Sequence, residues 1–331
     1  MILAGHLLID NGAGRCTVSP GFVRVDGEQI VEVVTGEIPR QADIGGEQTL
    51  ISPGFIDAHL HLPQFDMIGA HGIPLLSWLS DITFPAELKW EDVNVAREMT
   101  DRVVNQLLSK GTTGICAYAT VHHEAARAAI EVATEAGLRG VIGQVLMNRE
   151  APEALCRPTN QLLDEAARLG DLFPAHQRMA AAVTPRFAIA CSDDLLAGAG
   201  RLAREQGSMV QSHLAETVSE CELVERLFDG RSYVDVYRQA GLLCDRAIFG
   251  HGIHLDADDR ASLQNRLQLT IEWFSVFAIT VYLLQLSRFV LDAAKAYGFD
   301  LNTPVVLGVL TPTVLLVVGL TINAIRRKYN D

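Results

Sequence analysis

Two histidines stand one residue apart in the stretch Gly54-Phe55-Ile56-Asp57-Ala58-His59-Leu60-His61-Leu62-Pro63-Gln64, at the end of an apolar run. Side chains two positions apart on a strand point to the same face, so His59 and His61 can present both imidazoles to one place. Neutral imidazoles at that spacing can share a divalent cation, and zinc takes His nitrogens while leaving a position open to water. Taken alone, the pair fits a hydrogen-bonded core equally well. Two later stretches favour the metal: in VQSHLAE, His213 ends a β-rich run, and in IFGHGIH, His251 ends another. Four imidazoles ending three strands make a ligand set. Glu216 follows His213 by three residues, where a loop or first helical turn can aim its carboxylate at a water, the place of a general acid/base.

These side chains need a scaffold that gathers strand ends. The chain has 331 residues and is 49% hydrophobic, enough for one large barrel or two smaller domains. Its opening, LLID followed by GFVRVDGEQIVEVVTG, reads as short strands with Asp-Gly turn chemistry, a small β layer. Up to about residue 265, β-rich runs then alternate with amphipathic helical runs, the rhythm of parallel βα units. The strands are LISPGFIDAHLHL, read as buried, then TTGICAYAT, RGVIGQVLM, MAAAVTPRF, SMVQSHLAE and DRAIFGHG. The first helix, WEDVNVAREMTDRVVNQLLSKG, has Gly111 as its expected C-cap. The fold class is therefore α/β, an incomplete (β/α)8 TIM-type barrel of about six units with a small N-terminal β domain, where a closed barrel has eight. Six units leave an open parallel edge.

With these motifs assembled, the chain resembles the metal-dependent amidohydrolase superfamily, and within it the guanine deaminases. The superfamily's metal motif looks like PGFIDAHLH, which implies that His59 and His61 are zinc ligands, and Gln64 matches a substrate-contacting Gln. IPLLSWL (Ile73 to Leu79) and TFPAE (Thr83 to Glu87) are similar to guanine deaminases specifically. TPRF implies that Arg186 holds a purine and Phe187 stacks on it; read by itself, it is a strand end and a turn. QSHLAE implies a third ligand in His213 and a proton shuttle in Glu216, both beside the substrate, and HGIHLD a fourth ligand in His251. The roles cohere physically, since a guanidinium can donate to a purine carbonyl edge-on while the ring lies against an aromatic face. The resemblance implies one zinc ion per chain and hydrolytic deamination of guanine to xanthine and ammonia, and it allows a homodimer. Relatives also carry a His-Cys-Pro type motif and a Gly-Thr-Asp type motif, whose Asp binds metal. Neither follows HLDADDRASLQN here, so the resemblance implies impaired turnover. Deamination of another amino-purine, a pyrimidine or a triazine stays open, as does a non-catalytic binding protein.

The tail changes character. Two apolar segments, about residues 271–291 and 304–325, each match the hydrocarbon thickness that a transmembrane helix must cross. Arg260 and Arg266 precede them, and Arg326, Arg327 and Lys328 follow, which places both ends of a membrane hairpin in the cytoplasm. Buried helices of a soluble core are the alternative. The tail resembles the C-terminus of an uncharacterised family of bacterial membrane-anchored proteins, with a junction near residues 262–266. The expected division is 1–50 for an N-terminal β-sandwich portion, 51–264 for the barrel portion and 265–331 for an inner-membrane anchor. A net charge of −13 argues against nucleic acid, whose binding rests on Lys and Arg contacts. Six scattered cysteines with no C-x-x-C suit a reducing compartment, and the N-terminus has no basic leader for export.

Overall fold

The computed structural model describes residues 1–10, 15–70, 72–260 and 263. Contacts divide the chain into Met1–His254 and Leu255–Asp331, and every residue singled out for chemistry above lies in the first unit. The expected boundary near 264 falls within the second.

The chain begins with four strands, β1 (Ile2–Asp10), β2 (Cys16–Asp26), β3 (Gln29–Thr35) and β4 (Ile44–Ile51). They form one sheet in the order β3-β2-β1-β4, with β1 antiparallel to β2 and parallel to β4. Among the described residues these four strands make a single sheet.

The barrel strands follow in chain order: β5 (Phe55–His61), β6 (Thr112–Tyr118), β7 (Arg139–Gly143) continued by β8 (Val145–Leu146), β9 (Met179–Ala181) continued by β10 (Thr184–Pro185), β11 (Val210–Leu214) and β12 (Ala247–His251). The pairs β5·β6, β6·β7, β7·β9, β8·β10 and β11·β12 are all parallel, and a bridge from Val183 to Val210 joins the fourth strand to the fifth. These are the six strands read from the sequence. Among the described residues β5 pairs only with β6, and β12 only with β11. The expectation that the first strand is buried fails for this reason: Phe55 and Ile56 are 63% and 72% exposed, as suits a strand paired on one side.

Among the described residues eight α-helices connect these strands. Short α1 (Leu75–Trp78) and α2 (Phe84–Leu88) precede α3 (Val93–Ser109), α4 (His123–Glu135), α5 (Thr159–Leu172), α6 (Asp193–Gln206), α7 (Val218–Leu227) and α8 (Tyr233–Gln239). Their ends follow local chemistry. Asp92 caps α3 by accepting from Asn94 N at 2.9 Å, and the helix stops at Lys110, one residue before the left-handed Gly111 (φ +82°). Thr217 and Glu220 close a reciprocal capping box on α7. The core lies between strands and helices, where the small side chains Ala125, Ala126, Ala129 and Ala133 let α4 approach Ile115, Ala117 and Ile142 closely.

Among the described residues no helix is long and apolar enough to cross a membrane. The two apolar segments expected at about 271–291 and 304–325 lie outside the described residues.

Candidate active site

The C-terminal ends of these parallel strands converge on one cavity of about 290 Å³, lined among others by His59, His61, Gln64, Arg186, Phe187, His213, Glu216 and His251. Every sequence-predicted site residue therefore reaches the same space. That volume lies at the small end of ligand pockets, about 300–1,000 Å³, and suits a single small heterocycle.

Three imidazoles form its base. The ligand atoms of His59, His61 and His213 all lie within 4.8 Å of one another, and the Nε2 atoms of His61 and His213 face each other at 2.9 Å. A slip in the β5·β6 register between Asp57 and Leu60 accompanies this placement. The second nitrogen of His213, Nδ1, donates to the Arg186 carbonyl oxygen at 2.6 Å. A carbonyl only accepts, so the proton of neutral His213 sits on Nδ1 and its Nε2 lone pair is free for a cation. Burial and the neighbouring positive or ionisable groups push both His61 and His213 well below the usual imidazole range. Neutral imidazoles whose ring nitrogens converge are the chemistry that a divalent metal needs, so these three residues can hold one. No carboxylate joins the cluster among the described residues.

His251 is placed differently. It has a left-handed backbone (φ +74°), and its Nε2 lies 3.2 Å from Glu216 Oε2. Its ring centroid is 5.3 Å from that of His59 and 5.7 Å from that of His213. The structure thus brings His251 beside the cluster and spends its nitrogen on Glu216.

Glu216 sits between β11 and the N-cap of α7, just after Ala215 in the left-handed region (φ +49°). Its own N–H donates to Glu220 Oε2 at 2.9 Å, and Glu220 Oε1 accepts from the Tyr233 hydroxyl at 2.7 Å. The α7 cap therefore fixes the backbone that carries Glu216. Burial alone raises the Glu216 carboxyl above its ordinary range, which moves it toward the working range of an acid/base group.

Two further residues escaped the sequence reading. Tyr118 ends β6 and stacks on His61 with ring centroids 4.4 Å apart, so it packs against the imidazole cluster; its place at a barrel strand's C-terminal end was the available signal. Glu87 of α2 is fully buried against Arg186, with Oε1 2.5 Å from Nη1, and the Arg186 guanidinium carbon lies 5.3 Å from the Phe84 ring centroid. Glu87 belongs to the TFPAE stretch noted above, but no local pattern names its partner.

The parallel α/β scaffold carries at its strand ends an imidazole cluster that could hold a metal. The sequence model of the Amidohydrolase family matches residues 50–273, and the chain belongs to that family. It is 38% identical over 230 residues to the guanine deaminase of Dictyostelium discoideum, covering 68% of this chain and 51% of that protein. The solved Escherichia coli guanine deaminase superposes with a TM-score of 0.72 at 32% identity, over 78% of this chain and 64% of that one. A guanine deaminase from C. acetobutylicum, with guanine bound in its active site, gives a TM-score of 0.72 at 26% identity over 80% of this chain and 65% of that one. The chain spans about half the length of the curated relatives it matches. A second model, that of a protein of unknown function (DUF3422), matches residues 256–329, so the two matched stretches overlap between residues 256 and 273.

Proposed function

We propose that this site binds guanine and supports its hydrolytic deamination to xanthine and ammonia, with zinc as the metal. The observation that carries the reading is the convergence of Gln64, Arg186, Phe187 and Glu216 with the imidazole cluster on one small cavity. Relatives named for this reaction, one of them solved with guanine in place, support the choice of substrate.

Each residue has a physical task. Arg186 donates N–H groups to a ring carbonyl, Phe187 covers a ring face, and the Gln64 amide donates or accepts at the ring edge. His59, His61 and His213, with His251 beside them, would hold a divalent ion, which when bound would supply the Lewis acidity that makes water a nucleophile near neutral pH. Glu216 takes a proton from the attacking water on its carboxylate and passes it to the departing amine, so one water is consumed and one ammonia leaves. The raised Glu216 carboxyl suits both halves of that transfer.

Turnover in this form is proposed to be slow, because the described residues give the cluster no carboxylate to fix the nucleophile. That same observation favours a second reading, a protein that binds metal and purine without turning substrate over. We further infer that the apolar tail segments anchor the chain in the inner membrane, with the catalytic portion on the cytoplasmic side. The test is ammonia release from guanine by the purified, zinc-loaded full chain. Release that stops with Glu216→Gln supports deamination, whereas folded, metal-loaded protein that binds guanine and releases none leaves the binding reading. Recovery of the full chain in the soluble fraction without detergent defeats the anchor.

A further inference from the structure

Arg186 and Glu87 form a buried ion pair behind the cavity wall. Arg186 is 2% exposed and Glu87 fully buried, and Nη1 to Oε1 is 2.5 Å. Arg186 lines the cavity whereas Glu87 does not. Among the described residues the other guanidinium donors have no side-chain partner, and Glu87 Oε2 is buried without one. Glu87 therefore grips one corner of the fork and leaves the remaining donors for whatever occupies the cavity. Phe84, from the same short helix, packs near the guanidinium, so α2 supplies both a charge and a flat surface.

We propose that Glu87 is the positioning residue that aims Arg186 at the ligand and, by cancelling its charge, selects uncharged oxo-heterocycles over anionic ones. This rests on the reading of the cavity as a purine site. A buried lone guanidinium attracts anions strongly, because charges in a low-dielectric site are poorly screened. A guanidinium already paired with a carboxylate offers its free N–H groups as plain donors, matched to a neutral lactam carbonyl. The cation–carboxylate pair thus turns an anion trap into a carbonyl reader.

Calorimetric titration of the metal-loaded full chain at pH 7.5 tests this with hypoxanthine, a neutral oxo-purine lacking the amine to be removed, and urate, a purine anion. Wild-type protein is expected to prefer hypoxanthine. Glu87→Gln should weaken hypoxanthine binding about tenfold or more and shift the preference toward urate, with Glu87→Asp recovering part of the original preference. Retention of the wild-type hypoxanthine-to-urate ratio by Glu87→Gln overturns the proposal. If Glu87→Gln does not fold, the double variant with Arg186→Gln carries the comparison, since Glu87 acting only through Arg186 makes the double variant bind as Arg186→Gln alone does. A further loss in the double variant overturns the proposal. Should wild type bind neither purine, the purine reading falls. The positioning claim is then decided by the Arg186 guanidinium NMR signals, which the pair should slow in rotation and which Glu87→Gln should free; identical signals in the two proteins overturn it.

Discussion

His213 Nδ1 donates to the carbonyl oxygen of Arg186 across 2.6 Å, so one residue serves the site with both of its ends. The Arg186 backbone fixes the tautomer of an imidazole in the cluster, while its guanidinium lines the ligand cavity. The fourth and fifth barrel strands are thereby coupled at the chemistry itself.

The cluster geometry ranks the histidines. His59, His61 and His213 hold their ligand atoms within 4.8 Å of one another, whereas the His251 Nε2 lies 3.2 Å from Glu216. His213→Ala should therefore lower zinc affinity at least about tenfold more than His251→Ala does, by analogy with the 10- to 100-fold scale of orienting contacts. Zinc competition titrations on the two variants measure this, and an equal or reversed order contradicts the ranking.

Acid should weaken the metal-free protein through the same histidines. Burial, the largest cause, holds His213 well below 6.5 in the folded chain, while an unfolded imidazole titrates near its ordinary value of about 6.5. Below that value the unfolded state binds more protons than the folded state, so stability rises with pH and falls on acidification. The contribution is fully present above about pH 6.5 and declines below it by up to about 1.4 kcal/mol per pH unit per buried imidazole. Denaturant unfolding of chelated protein at pH 7.5, 6.5 and 5.5 should show that decline, and His213→Asn should flatten it. An unchanged slope in His213→Asn contradicts the assignment.

Much of this was legible in the sequence, and for a physical reason. The six strands announce themselves by short apolar runs, and the parallel order forces their C-terminal ends together, so His59, His61, His213 and Glu216 could be placed by spacing, whereas Gln64 came only from the family resemblance. Glu87 could not, because its partner Arg186 is 99 positions away and the pair exists only after α2 folds behind the fourth strand. The orientation of His251 was equally hidden, since its left-handed backbone is a tertiary outcome that breaks the strand periodicity. Phe55 and Ile56 read as buried from apolarity alone, while exposure on β5 depends on which neighbours pair with it.

The Tyr233 hydroxyl joins two parts of the site. It accepts from Ala188 N at 3.2 Å, next to Phe187, and donates to Glu220 Oε1 at 2.7 Å, whose other oxygen holds the Glu216 N–H. Tyr233→Phe should cost about 1–3 kcal/mol, because it leaves buried polar groups unpaired. It should also speed hydrogen exchange at the Glu216 amide more than at amides of α4. Uniform acceleration everywhere would mean a loss of global stability without a local tether.

Thiol reactivity should separate the cysteines by burial. Cys191 is fully buried, donates Sγ–H to the Leu146 carbonyl at 3.1 Å, and burial pushes its thiol up to about 12. Cys16 and Cys244 are exposed. Since the thiolate is the nucleophile, brief iodoacetamide treatment at pH 8 should label Cys16 and Cys244 and spare Cys191 in peptide mass spectra. Labelling of Cys191 in folded protein at a similar rate contradicts its placement.

Gly250 lets β12 pass the cluster. A Cβ built there would sit 2.6 Å from Cε1 and 2.9 Å from Nδ1 of His59, closer than nonbonded carbon atoms tolerate. Because Gly250 is not among the positive-φ glycines, alanine suits its backbone, and the strain falls on the His59 ring, the movable end of a side chain. Gly250→Ala should therefore leave β12 paired with β11 while displacing an imidazole from the cluster. Zinc affinity is expected to fall about tenfold or more, with the apo-protein's unfolding midpoint in denaturant nearly unchanged. Loss of stability without loss of metal would instead locate the strain in the strand, and unchanged metal affinity would show that the His59 ring is not held where the structure puts it.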